Sequence, residues 1–186
     1  MKLTHHSGVT IAMAFVAAGQ ALADGSETQK MLAMIADIEF ITQNSLLEYA
    51  GQALPDVTVV TENELQLRFR ASQAQVLALE DDHSFGRVSA FYDRYSNKVL
   101  LSDVSSFTGP GLLHELVHFL QEVNGKDDMF VSYPVCLEAE AYDLQALWQA
   151  EHGIDLDSMP DYGFVMTLYG VCNDADFSWV DSAYQH

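Results

Sequence analysis

The five residues His114-Glu115-Leu116-Val117-His118 constrain this chain more than any other feature of its sequence. On a helix of about 3.6 residues per turn, positions i and i+4 share one face, so both imidazoles can bind one ion. Glu115 lies about 100° round the helix, where its carboxylate can take a proton from a water held by that ion. The pattern therefore predicts a divalent metal site with a carboxylate beside it.

The surrounding residues predict the helix that this pattern requires. A chain of this composition would give roughly 0.015 such matches by random placement, which makes coincidence a poor explanation. The run Thr108-Gly109-Pro110 is typical of a helix start, and Gly125 is typical of a helix end. Between them, His114, His118 and Gln121 form a polar stripe on an otherwise apolar helix. The alternative is a pair of core histidines satisfied by hydrogen bonds.

Residues 1–23 are typical of a secretory signal peptide. Lys2 precedes an apolar run, and Ala21-Leu22-Ala23 fits the cleavage site. The apolar run is too short to span a bilayer comfortably, although an uncleaved anchor is the alternative. We therefore expect an exported protein, periplasmic or extracellular, in which residues 24–186 form a single domain.

The charge of the chain limits its partners. The net charge is −19, from 27 acidic residues against 8 Lys and Arg. Nucleic acids and anionic membranes both bind basic patches, so we expect neither nucleic acid nor a stable membrane association after signal cleavage.

The two cysteines, Cys136 and Cys172, are expected to form a disulfide, because an exported chain meets an oxidising compartment. Metal ligation by cysteine is the alternative. It is disfavoured because the pair lacks the C-x-x-C spacing of metal sites.

Hydrophobic periodicity and turn residues predict an α+β fold, with helices packed on a small, mainly antiparallel sheet. Helices are expected over about residues 26–50, 61–79, 109–124, 134–152 and 159–169. Strands are expected over 57–60, 87–92 and 98–102, the last two joined as a hairpin by a turn at Ser96-Asn97.

A third metal ligand should come from another element, because a catalytic zinc usually takes three protein ligands and keeps one position open. Glu138 and Glu140 follow on the next predicted helix. Residues two apart diverge by about 160° round a helix, so only one of the two can face the ion. Either glutamate would complete a site for one Zn²⁺ per chain.

HELVH followed by a glutamate on a downstream helix resembles the zincin fold, in its gluzincin branch, and small exported bacterial zincin-like proteins in particular. Several such families carry the third ligand in an E-x-x-A pattern, which Glu138-Ala139-Glu140-Ala141 fits with Glu138 first. The resemblance covers residues 98–148 and implies that Ala141 lets the two metal helices approach closely. It also implies that the strand over 98–102 pairs with an extended peptide substrate.

The sequence departs from the best-known pattern at Tyr142, which stands where an aspartate supports the first histidine. A tyrosine hydroxyl could serve instead, and Asp143 follows one residue later. A metzincin assignment is disfavoured, because Asn124 occupies the position of the third histidine and Gln121 that of the expected glycine.

These expectations describe a secreted or periplasmic zinc metallopeptidase in which Glu115 is the general base acting on zinc-bound water and a peptide or protein is the substrate. Candidate donors to the oxyanion are Tyr133, His152 and Tyr162. The alternative is a catalytically silent zincin-like module that binds zinc or has a structural role. Metal scavenging by an acidic exported protein is a third hypothesis.

Overall fold

The computed structural model describes residues 25–42, 47–77, 88–102, 109–126 and 134–155. These ranges contain four helices and three strands, which confirms the α+β class. In chain order the elements are α1 (Gly25–Thr42), β1 (Asp56–Val59), α2 (Glu62–Leu77), β2 (Ala90–Asp93), β3 (Lys98–Leu101), α3 (Pro110–Val123) and α4 (Pro134–Glu151).

Several predictions fall outside the described residues: the signal peptide over 1–23, the helix over 159–169 and one half of the cysteine pair, Cys172. None of the helices in the described part of the chain is long and apolar enough to cross a membrane.

The three strands form one mixed sheet in the order β1-β3-β2. The hairpin partners β2 and β3 are antiparallel, with Phe91 opposite Leu100. β1 lies parallel to β3, with Val57 opposite Val99, so the expected mainly antiparallel sheet is wrong. The turn residues of a hairpin predict that its two strands pair, whereas no residue near β1 indicates which strand it pairs with.

The same strand order overturns the expected role of the strand over 98–102. β3 is hydrogen-bonded to β1 on one side and to β2 on the other. An extended peptide can add only to a strand with a free edge. The prediction that this strand pairs with a substrate is therefore wrong.

The turn between β2 and β3 depends on two polar side chains. Asn97 adopts a positive φ of 48°, a conformation that asparagine tolerates better than most residues. Asp93 accepts hydrogen bonds from the Tyr95 amide at 3.1 Å and from the Ser96 hydroxyl at 2.6 Å. The predicted turn at Ser96-Asn97 is thus confirmed.

Helix boundaries follow the predicted signals except in α1. Thr61 caps α2 by accepting the Glu64 amide at 3.3 Å, and Gly125 and Gly153 follow α3 and α4 with positive φ. α1 ends at Thr42 rather than near residue 50. Beyond it, the Tyr49 amide donates to the Glu39 carboxylate at 2.7 Å, so its donor is not available to a helix.

α3 is the central element of the described fold, since it packs against α1, α4, β2 and β3. Most of its side chains are buried, including the polar ones of His114, Glu115 and Gln121. Ala141 on α4 is fully buried in the same core and permits close packing of α4 on α3. The other core residues include Met31, Ile35, Ile38, Leu47, Val99, Leu101, Leu112, Leu113, Leu116, Val117, Phe119, Leu120, Leu144 and Trp148.

Truncation of the α3 core should destabilise the whole domain. Leu120 is fully buried, so Leu120→Ala should lower the free energy of unfolding in urea by about 2–5 kcal/mol. Leu67 on α2 is 68 % exposed and provides the control. Leu67→Ala should change the free energy of unfolding by no more than about 0.5 kcal/mol. Equal losses in the two variants would contradict the central position of α3.

Candidate metal centre

Three side chains from two helices converge where α3 meets α4. His114 and His118, one helical turn apart on α3, turn their Nε2 atoms toward each other at 3.1 Å. The two Glu138 carboxylate oxygens lie 3.3 Å from these nitrogens, Oε2 from His114 and Oε1 from His118. These three residues form a group that could hold a metal ion.

The spacing of these atoms fits a tetrahedral ion. Ligand atoms about 2.0–2.2 Å from zinc at tetrahedral angles are roughly 3.3 Å from one another. The two Nε2 atoms lie 3.1 Å apart, and each lies 3.3 Å from a different oxygen of the Glu138 carboxylate, which is close to that value. Two imidazoles with one carboxylate are also a donor set that zinc accepts in catalytic sites. The residues present therefore fit the expected cofactor.

The centre is buried on one side and open on the other. The His114 and His118 side chains are 9 % and 18 % exposed, whereas that of Glu138 is 46 % exposed. The α3 side is enclosed by the core, and solvent reaches the centre past Glu138. An ion, a water or a substrate group can approach from that direction.

The charges of the centre favour a cation between Glu138 and the two histidines. Burial acts to lower the pKa of His118, but the Glu138 carboxylate outweighs it and raises that pKa to about 10. Burial likewise favours the neutral acid at Glu138, but the charge of His118 and hydrogen bonds from both imidazoles hold the pKa of Glu138 well below its usual range. The same carboxylate that favours a charged His118 would favour a cation at this centre.

Glu115 lies beside this group and is tied to the sheet. The Tyr92 amide on β2 donates a 2.7 Å hydrogen bond to Glu115 Oε2, which fixes the carboxylate relative to α3 and β2. Burial raises the pKa of Glu115, while the charges of His114 and His118 oppose that rise. A buried carboxylate with a raised pKa near two imidazoles is suited to accept a proton.

Glu140, the alternative third ligand, faces a different set of partners. Its Oε1 accepts a 2.6 Å bond from the buried Lys126 ammonium, and its Oε2 accepts a 3.0 Å bond from the Gln121 amide. Gln121 in turn accepts a 2.8 Å bond from His118 Nδ1. The structure thus groups Glu138, rather than Glu140, with the two histidines.

His114 lacks the hydrogen-bonded support that His118 has. Its buried Nδ1 has no hydrogen-bond partner among the described residues. Tyr142 packs its ring 4.4 Å from the His114 ring, at an interplanar angle of 52°. The suggestion that a Tyr142 hydroxyl replaces the missing aspartate on His114 is therefore not borne out, and Tyr142 contacts that imidazole through its ring.

The remaining predicted site residues lie away from this group or outside the described ranges. His152 stacks on Trp148 and lies 3.5 Å from Asp37, so it belongs to the contact between α4 and α1. Tyr133 and Tyr162, the other candidate donors, are outside the described residues. Cys136 is disulfide-bonded, and its expected partner Cys172 is also outside them.

Sequence reasoning missed two contributors to the site, Lys126 and the Tyr92 amide. The Tyr92 amide carries no sequence signal, because every residue except proline has one. Lys126 carries a weak signal, because a lysine is uncommon in a chain with 27 acidic residues and 8 Lys and Arg. Lys126 directly follows Gly125 and therefore lies just beyond the end of α3.

Comparisons with protein-family models, with curated proteins and with solved structures give no match for this chain. The zincin resemblance therefore rests on the residues of the motif alone.

Metal loading should release a proton. His118 carries one in the metal-free centre, because its pKa is about 10, and an imidazole ligand must be neutral. Titration calorimetry at pH 7.5 in buffers of different ionisation enthalpy should show at least about one proton released per zinc, with any further release coming from zinc-bound water. Zinc affinity should rise with pH up to about 10. Binding without proton release would contradict the charged state assigned to His118.

The two glutamates should differ in their effect on metal affinity. Glu138→Gln replaces a carboxylate in the ligand group, so zinc affinity should fall well beyond the roughly 10- to 100-fold associated with outer partners. Glu140→Gln is the matched control and should stay within that range. Competition with a chelator measures the zinc affinity of both variants. A larger loss of affinity in Glu140→Gln than in Glu138→Gln would make Glu140 the ligand.

Proposed function

We propose that this protein is a zinc-dependent hydrolase, specifically an exported metallopeptidase, with His114, His118 and Glu138 as ligands and Glu115 as the general base. The observation that supports it most is the approach of the two Nε2 atoms to 3.1 Å, each with one Glu138 carboxylate oxygen 3.3 Å away. A zincin-like fold is part of the same proposal, since the described α+β architecture is compatible with it.

In the proposed hydrolysis, the zinc ion and the protein residues have different roles. Zinc, when bound, supplies a Lewis acid that polarises a carbonyl and makes a water acidic near neutral pH. Glu115 accepts the proton of the attacking water and then delivers it to the leaving nitrogen. The Tyr92 amide keeps the carboxylate in place for both transfers.

We assign Tyr142 as a further donor, because its ring packs 4.4 Å from that of His114. Burial, followed by the charges of Glu138 and Glu115, raises the pKa of its phenol, which therefore keeps its proton at neutral pH. A neutral phenol near a reacting carbonyl can donate to the oxyanion as negative charge develops. Tyr142 thus replaces His152 as the candidate for that role.

Substrate access is consistent with a peptide. The centre opens to solvent at the half-exposed Glu138, so the scissile group of a flexible chain can reach it from outside the domain. The negative chain charge favours substrates that are neutral or basic near the cleaved bond.

Replacement of the base tests the mechanism. In the zinc-loaded protein purified after export, Glu115→Gln should reduce cleavage of a peptide library by at least about 100-fold, because general-base catalysis contributes that much. Zinc content should stay at one ion per chain, since Glu115 is not a ligand. Mass spectrometry of the digests and metal analysis measure the two effects.

Glu122→Gln provides the matched control on the same helix. Glu122 accepts a 2.6 Å bond from the Tyr92 hydroxyl, so it shares a partner residue with Glu115 but not the metal centre. Its replacement should leave turnover within a few-fold of the parent. Undiminished cleavage in Glu115→Gln would reject this base. Full zinc loading without any cleavage by the parent would favour the catalytically silent module.

A further inference from the structure

A continuous line of polar contacts runs behind His118, on the side away from Glu138. Lys126 Nζ lies 2.6 Å from Glu140 Oε1, and this ion pair is buried, with 3 % and 8 % of the two side chains exposed. Glu140 Oε2 accepts from Gln121 Nε2 at 3.0 Å. Gln121 Oε1 accepts from His118 Nδ1 at 2.8 Å.

The hydrogen-bond partners of the Gln121 amide determine which of its ends is the oxygen and which is the nitrogen. Its Nε2 faces two acceptors, Glu140 Oε2 and the Leu137 carbonyl oxygen at 2.9 Å. A flipped amide would place its oxygen against both of those oxygens. The nitrogen must therefore stay on that side, and the oxygen must face His118.

This orientation determines which His118 nitrogen carries hydrogen. An amide oxygen only accepts, so Nδ1 must be the donor. In the neutral imidazole the lone pair is then on Nε2, the atom 3.1 Å from His114 Nε2 and 3.3 Å from Glu138 Oε1. A buried glutamine thus selects the imidazole form that a ligand at this position needs.

We propose that Gln121, held by the buried Lys126–Glu140 ion pair, is a positioning residue that presents His118 Nε2 to the metal and thereby sets metal affinity. The inference rests on the proposed metal site and deepens it. It also gives Glu140 a role: its two oxygens hold Lys126 and Gln121 in place, one layer outside the ligands.

The competing explanation is that Gln121 only joins α3 to α4. Its bonds to Leu137 and Glu140 cross between those helices, so losing them should reduce stability in any case. A matched control must therefore lose a buried amide elsewhere. Gln149 is equally fully buried and lies about three turns beyond Glu138 along α4. Its amide donates to the Asp155 carbonyl at 3.0 Å and accepts from Gln145 at 3.1 Å.

The test compares Gln121→Met with Gln149→Met in the full protein. Zinc affinity by chelator competition should fall roughly 10- to 100-fold in Gln121→Met. It should stay within about twofold in Gln149→Met. The visible spectrum of the cobalt-loaded protein should change only in Gln121→Met. The slowly exchanging Nδ1 proton of His118 should disappear from the NMR spectrum only there.

The outcomes separate this inference from the proposed function. Parent protein that binds no zinc would reject the metal site itself. Parent that binds zinc, with Gln121→Met unchanged or no weaker than Gln149→Met, would reject the positioning role alone. If Gln121→Met does not fold, Glu140→Gln takes its place. An amide there must turn a donor toward Lys126 or toward Gln121, so zinc affinity should fall roughly 10- to 100-fold, and unchanged affinity would overturn the inference.

Discussion

The structure depends on the burial of a helix that carries polar groups. α3 is enclosed by α1, α4, β2 and β3, yet its buried residues include an imidazole, a carboxylate and an amide, and a second imidazole, that of His118, is only 18 % exposed. Buried polar groups are tolerated only with partners. Glu138, Gln121 and the Tyr92 amide supply them. The packing of α4 and β2 on α3 therefore brings the candidate site together as it completes the core.

Charges around the centre alternate from the interior outward. Lys126 is paired with Glu140, and protonated His118 is paired with Glu138, with the Gln121 amide between the two pairs. Each of these four groups has an oppositely charged neighbour, which offsets part of the desolvation penalty. His114 is the exception, because its Nδ1 is buried without a hydrogen-bond partner among the described residues. Its ring contact with Tyr142 provides packing in place of a hydrogen bond.

Local patterns in the sequence predicted the parts of this structure that local chemistry controls. Helical spacing identified the face of α3 that carries His114 and His118, Gly125 and Gly153 marked helix ends, and Asn97 marked the hairpin turn. The parallel pairing of β1 and the early end of α1 were not predictable, because each depends on a distant segment. The choice between Glu138 and Glu140 also depended on packing, since the rotation of α4 about its axis decides which of them meets His118.

The ligand atoms come from helices separated along the chain, and only the native packing of α4 on α3 brings them within 3.3 Å. An ion bound there stabilises the folded state and not the unfolded chain. The gain is about 2.7 kcal/mol when free metal is a hundred times the dissociation constant. Under the proposal of an exported zinc protein, the trace-metal content of its surroundings would govern its lifetime against proteolysis as well as its chemistry.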